Sequence, residues 1–306
     1  MLVEAGLFLL GLALLVVGAD RTITAAGELA LHYGVSPFFI GVTVVSVGTS
    51  IPEMTTSVYA AFYGSGDIVV GNIVGSEIAQ ITLALGIVAL VAPIVGERRN
   101  VMIYGGAMTL AMIIMILTLE DGRIIRSEGF LMMLAYVNFV YTLYTSEGGE
   151  EVTEEVIETR GSPRETVPWI LGGLALVVVG GHVMVTNGIA LARLAGVGEY
   201  FLGLLTGLGT TAPEIAVASI AARQGEAGIS VGSLLGSNIT DPVFSLGIGA
   251  LVADVVVTNQ QVIAASMLYM LAVSLTVLFM FWLRERIDRK MAVVCLLLYL
   301  PTFVVL

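Results

Sequence analysis

The chain has 306 residues, of which 57% are hydrophobic and only 12% charged, against roughly 25% charged in an ordinary soluble domain. With a mean hydropathy of +0.98, it cannot be a single water-soluble globule, because that much apolar surface needs a second solvent. A net charge of −11, from 24 acids and 13 bases, excludes nucleic acid as the expected partner. The lone Cys295 excludes a disulfide framework and a cysteine metal cluster.

Ten apolar segments follow one another along the chain, at 2–19, 36–62, 68–92, 101–119, 129–145, 167–190, 201–222, 228–253, 261–283 and 291–306. Most reach the ~20 residues that a helix needs to cross the hydrocarbon layer. The expected fold is therefore an all-α polytopic membrane protein with ten transmembrane helices. The N-terminal segment carries Glu4 in place of a basic n-region, so it reads as a first span and not as a cleaved signal. Thirty-six glycines, set within apolar runs, predict closely packed helices.

Placing the N-terminus outside puts Arg21, Arg98, Arg99, Arg160, Arg164, Arg223, Arg284, Arg286, Arg289 and Lys290 in inside loops. Only Arg123, Arg126 and Arg193 remain outside. That bias predicts a plasma-membrane protein with both termini outside and the loop between spans five and six in the cytoplasm. This loop, 146–166, carries seven glutamates and two arginines. It reads as a solvated linker, too short to hold a folded domain.

The strongest organisational signal is an internal repeat at a spacing of 161 residues. Gly48-Thr49-Ser50-Ile51-Pro52-Glu53 matches Gly209-Thr210-Thr211-Ala212-Pro213-Glu214. Downstream, GNIVGSEIAQITLALG (71–86) aligns without a gap to GSLLGSNITDPVFSLG (232–247). Five spans in each half, an odd number, make corresponding spans cross in opposite directions. The expectation is two inverted five-helix repeats, 1–145 and 167–306, with matched cores at about 36–92 and 201–253.

Pro52 and Pro213 each remove a backbone donor and open the helix ladder inside an apolar segment. Such a break in hydrocarbon needs a cavity, an ion or a neighbour to satisfy the freed carbonyls. Thr49, Ser50, Thr210 and Thr211 add hydroxyl oxygens there, and Glu53 and Glu214 add carboxylates. Intramembrane acids cost about 2.5–3.5 kcal/mol on insertion scales and are functional candidates by default. Facing carboxylates need a neutralising ion. An all-oxygen set suits Ca²⁺, and several Na⁺ ions or protons would also serve. Ser76 with Gln80, and Ser237 with Asp241, extend the candidate set on the partner helices. Glu77 reads either as a proton or ion site or as lining a wet vestibule. His32 and His182 lack metal-ligand spacing and read as structural, and no HExxH motif or Ser-His pair supports a hydrolase.

The paired Gly-Thr-Ser-x-Pro-Glu and Gly-x-x-x-Gly-Ser blocks resemble the two α-repeats of the Ca²⁺/cation antiporter superfamily, most of all its prokaryotic sodium/calcium exchanger branch. The resemblance covers nearly the whole chain. It implies a secondary antiporter exchanging Ca²⁺ for Na⁺ by alternating access, with an H⁺-coupled exchanger of Ca²⁺ or another divalent cation as the alternative, and not an enzyme. It implies Glu53 and Glu214 as shared Ca²⁺ and Na⁺ ligands, with Thr49, Ser50, Thr210, Thr211, Ser76, Gln80, Ser237 and Asp241 completing the set. It also implies that spans one and six slide as gating elements. No cofactor and no obligate protein partner are expected, only the transported ions and the bilayer. Gln80 stands where this branch typically has Asn, Thr211 where it has Ser, and Glu77 where it is neutral. The stretch from Gly203 to Gly209 is also one residue shorter than that from Gly41 to Gly48.

Overall fold

The computed structural model describes residues 2–96, 98–147, 163–195 and 209–302. Helices account for nearly all of them. In chain order they are α1 (Leu2–Tyr33), α2 (Pro37–Thr49), α3 (Ile51–Phe62), α4 (Gly66–Val91), α5 (Arg98–Thr118), α6 (Arg126–Glu147), α7 (Pro163–Leu194) and α8 (Ala212–Gln224). Then come α9, which runs as Ala227–Thr240, Asp241–Ser245 and Leu246–Val252, α10 (Gln260–Arg284) and α11 (Arg289–Tyr299). Five of these, α1, α4, α5, α7 and α10, are long and apolar enough to span a membrane, and the bent pair α2–α3 makes a sixth. Each expected apolar segment contains a helix. Residues 201–208 of the expected seventh span, 303–306 of the tenth, and 148–162 of the expected linker lie outside the described residues.

Several boundaries differ from the sequence expectation. The first helix does not stop at residue 19 but continues to Tyr33. Beyond the apolar run, Ala19, Thr22, Ile23, Ala26, Leu29 and Ala30 are buried, while Asp20, Arg21, Thr24 and Glu28 are exposed. This is an amphipathic stripe at helical period, which a search for continuous apolarity passes over. The helix ends where Gly34 takes φ +63°, the left-handed conformation that closes many helices. At 32 residues α1 is about 48 Å long, so it projects beyond a ~30 Å hydrocarbon layer. The linker ends, 146–147 and 163–166, likewise belong to α6 and α7.

Helix α1 packs antiparallel against α7 along a glycine seam. A Cβ at Gly11 would fall 2.4 Å from the Met184 nitrogen, and one at Gly18 would fall 2.7 Å from the Gly173 oxygen. The two backbones therefore touch, which only small residues permit. This pair shares a small apolar cluster with α2 and α8 that includes Ile23, Leu29, Ile170 and Val217. The larger cluster joins α4 to α6 with α9 to α11.

Two short antiparallel ladders tie loops together. Strand β1 (Ile94–Val95) pairs with β4 (Arg286–Ile287), and β2 (Arg123–Ile124) pairs with β3 (Val255–Val256). Positions 94–95 and 255–256 stand 161 residues apart, the spacing of the sequence repeat.

Candidate functional site

Pro52 and Pro213 each shape a helix start. Helices α2 and α3 meet at a 44° bend, with Ser50 at φ −77°, ψ 5°. The equivalent Thr211 has φ −83°, ψ −3°, so the two motifs adopt the same local backbone. Glu53 and Glu214 then fall in the first turns of α3 and α8, where the helix dipole favours negative charge.

Helices α4 and α9 carry the second blocks, and both widen into a π-helical turn, at Gln80–Ala84 and at Asp241–Ser245. These turns match residue for residue at the spacing of 161, and such insertions are frequent at functional sites. A third π-helical turn occupies Gly41–Val45, within the stretch that is one residue longer in the first repeat.

The structure brings the predicted acids into one buried region. Glu53, Glu77, Glu214 and Asp241 are all fully buried, as are Thr49, Ser50, Thr211, Gln80 and Ser237, while Ser76 is 2% exposed. Glu53 lies within electrostatic range of Glu214 and Asp241, and Glu214 and Glu77 of Asp241. Thr210 stands beside Glu53 and Thr49 beside Glu214, so each threonine faces the acid of the other repeat. Among the described residues no Lys, Arg or His is buried with them. Among the described residues, both oxygens of Glu53, Glu77 and Glu214 lack hydrogen-bond partners, as do the hydroxyls of Ser50, Thr211 and Ser237. Isolated buried charges of this kind are strongly unfavourable unless a counter-charge arrives. No three His, Cys, Asp or Glu side chains of the described residues converge into a metal cluster by themselves. A cation there must also draw on hydroxyl, amide or carbonyl oxygens.

Asp241 is the exception, because it is held by hydrogen bonds. Gln80 Nε2 donates to its Oδ2 at 3.0 Å, and Ser245 Oγ donates to its Oδ1 at 2.9 Å. Asn238 Nδ2 in turn donates to Gln80 Oε1 at 2.9 Å, so the amide oxygen expected to face a cation already accepts a hydrogen bond. The Ser76 hydroxyl donates to the Asn72 carbonyl at 2.8 Å, back into its own helix, and Thr49 Oγ1 donates to the Ser46 carbonyl at 3.2 Å. The repeat therefore misled about equivalence. Ser237 is unpartnered where Ser76 is not.

Sequence reasoning passed over Asn238, except as the counterpart of Glu77, together with Ser245, Thr240 and Tyr136. Thr240 Oγ1 lies 3.4 Å from Ser46 Oγ and 3.3 Å from Tyr136 Oη, which links α2, α9 and α6 next to Asp241. The available signal was position, since Thr240 precedes Asp241 and Ser245 follows it by one turn.

A cavity of about 700 Å³ reaches this region. Pro52, Thr55, Tyr59, His182, Thr210 and Pro213 are among its lining residues. His182, expected to be structural, faces this space.

The family model described as "Sodium/calcium exchanger protein" matches residues 3–145 and 166–306. Inner membrane protein YrbG of Escherichia coli is 34% identical over 264 residues, covering 82% of this chain and 81% of that protein. Sodium/calcium exchanger MaX1 of Methanosarcina acetivorans is 28% identical, covering 98% and 97%. The solved structure of the sodium-calcium exchanger NCX_Mj, soaked with Na⁺ and Sr²⁺, superposes with a TM-score of 0.83 at 28% identity, over 99% of this chain and 98% of that one. Two matched motifs, a shared buried acid site and a family model covering both halves lead to one conclusion: the chain belongs to the sodium/calcium exchanger protein family.

Proposed function

We propose that this protein is a secondary antiporter that exchanges Ca²⁺ for Na⁺ by alternating access at a midplane carboxylate site. The observation that carries this reading is the set of buried, unpartnered carboxylate oxygens with no buried basic side chain among the described residues. Ca²⁺ takes six to eight oxygens. Glu53 and Glu214 would neutralise it, and Thr49, Ser50, Thr210, Thr211 and Ser237 would supply hydroxyl or carbonyl oxygens. Gln80 and Asp241, tied to each other, would form the site's wall, with Ser76 behind them. Na⁺ ions using the same oxygens would compete with Ca²⁺. An empty site would keep its mutual repulsion, which disfavours closing around nothing, and this is the condition for obligatory exchange.

The architectural reading is two inverted five-span repeats, 1–145 and 167–306, joined by a cytoplasmic linker, with both termini outside. Support comes from the antiparallel α1–α7 pair, the matched π-helical turns and the two strand ladders. In this topology β1 and β4 both lie inside and β2 and β3 both lie outside, so each ladder joins loops that the charge bias puts on one face. The cavity at Thr210 would be the route to the site.

The decisive experiment loads proteoliposomes with Na⁺ and measures ⁴⁵Ca²⁺ uptake against a Na⁺-free exterior. Uptake driven by the Na⁺ gradient and abolished by choline replacement is expected. Uptake that persists in choline and follows a pH gradient would establish proton coupling instead.

A further inference from the structure

The two repeats differ by one full charge at a matched, buried position. Glu77 on α4 corresponds to Asn238 on α9, each following a matched serine, and both are fully buried. The side-chain amide donors of Asn238 and Gln80 are committed. Asn238 Nδ2 donates to Gln80 Oε1 at 2.9 Å and to the Leu234 carbonyl at 2.8 Å. Gln80 Nε2 donates to Asp241. Among the described residues, Asn238 Oδ1 and both carboxylate oxygens of Glu77 have no hydrogen-bond partner, and all three are atoms that only accept. Flipping the Asn238 amide does not solve this, because it would break both of its hydrogen bonds. A divalent ion between Glu53 and Glu214 accounts for two negative charges, and Gln80 and Ser245 solvate Asp241. Among the described residues, Glu77 is left with no hydrogen-bond partner and no counter-ion.

We infer that Glu77, with the amide oxygen of Asn238, binds one Na⁺ beyond those that the matched motifs supply. A monovalent ion suits this place, since one carboxylate and neutral oxygens balance a single positive charge. The transport role of this Na⁺ rests on the antiport reading, but its binding does not. Had the repeat been symmetric, with Asn at both positions, this charge and its ion would be absent.

The test counts ²²Na⁺ bound per chain by the purified protein at saturating Na⁺ without Ca²⁺. Glu77→Asn, which restores the repeat match, is expected to bind one Na⁺ fewer, and Glu77→Gln, close to Glu in volume, should do the same. Glu77→Asp should keep the full number. Equal numbers in the wild type and both neutral variants would overturn the inference. So would a variant whose only loss is a proton, seen as a changed proton release on ion binding with an unchanged Na⁺ count. In proteoliposomes, the Na⁺:Ca²⁺ coupling number from the reversal potential should fall by one in Glu77→Asn. A wild type that shows no Na⁺-driven Ca²⁺ flux would refute the antiport reading alone, because the binding count is read without transport.

Discussion

Helices α4 and α9 share a backbone plan and differ in what surrounds it. Both carry a serine, then a π-helical turn, at positions 161 residues apart. Yet Gly232 and Gly236 of α9 are buried against α2, whereas Gly71 and Gly75 of α4 are half-buried and, among the described residues, no atom of another element lies within 4 Å of where a Cβ would stand. Their chemistry diverges as well, with Glu77 and Gln80 on one and Asn238 and Asp241 on the other. Duplication fixes the geometry of a helix, while each copy's neighbours and charges are free to change. Function in such a protein is written in the differences between copies as much as in their agreement.

The largest expected effect tests where the copies agree. Glu53→Gln and Glu214→Gln should each lower Na⁺-driven ⁴⁵Ca²⁺ uptake by at least about 100-fold, since even supporting groups of metal sites cost 10–100-fold when lost. Full activity in either variant would break the pairing. Next comes the packing contrast. A Cβ at Gly236 would lie 2.6 Å from Val42 Cα, a backbone atom. Gly236→Ala should therefore destabilise the protein by about 1–3 kcal/mol, the usual cost of overpacking, while Gly75→Ala, whose Cβ would meet no atom of the described residues, should be close to neutral. Thermal unfolding in detergent reads both, and equal shifts would show that the two glycine pairs are equivalent after all. Gln80→Leu removes the bridge between α4 and α9 and leaves Asp241 and Asn238 each short of a partner. A loss of about 1–3 kcal/mol is expected, and a double-mutant cycle with Asp241→Asn should show strong coupling between the two positions.

The smallest effect concerns Asp288, which caps α11 by accepting from the backbone N–H groups of Lys290 and Met291 at 3.0 and 3.1 Å. The Met291 and Lys290 bonds, helped by Arg286 and Arg284, hold its carboxyl below the ordinary range. A lowered folded value means that the charge stabilises at neutral pH, and that this contribution is lost as pH falls through the ordinary value near 3.9 and the lower folded one. Asn is also a good cap, so Asp288→Asn should be slightly less stable than the wild type at pH 7, with the gap narrowing as pH falls below the ordinary carboxyl value. A gap that does not narrow on acidification would mean that the carboxyl charge is not its source.

The sequence made the helical class, the family and the acidic positions legible, because apolar runs, prolines and intramembrane carboxylates each have one dominant physical cause. It did not make the end of α1 legible, since Asp20, Arg21 and Glu28 look like a loop until the alternation with Ile23, Ala26 and Leu29 is counted. Nor could a repeat alignment say that Ser76 would bond back to Asn72 while Ser237 stays free. Those outcomes depend on which groups come within reach across α4 and α9. The Gln80 amide shows this most plainly: its type marks it as a ligand, and its partners make it a bridge.

The strand ladders carry a consequence for how the molecule is made. Ile94 pairs with Ile287, so β1 is synthesised long before this ladder partner exists. A helical bundle of mostly local contacts forms quickly, but pairings of such sequence separation come late. The first half must therefore wait in the bilayer with its rim unsealed until almost the last helix has been threaded. Truncations before Arg286 should then yield inserted but unlatched chains, open to proteolysis at 92–97, even where every earlier helix is already in place.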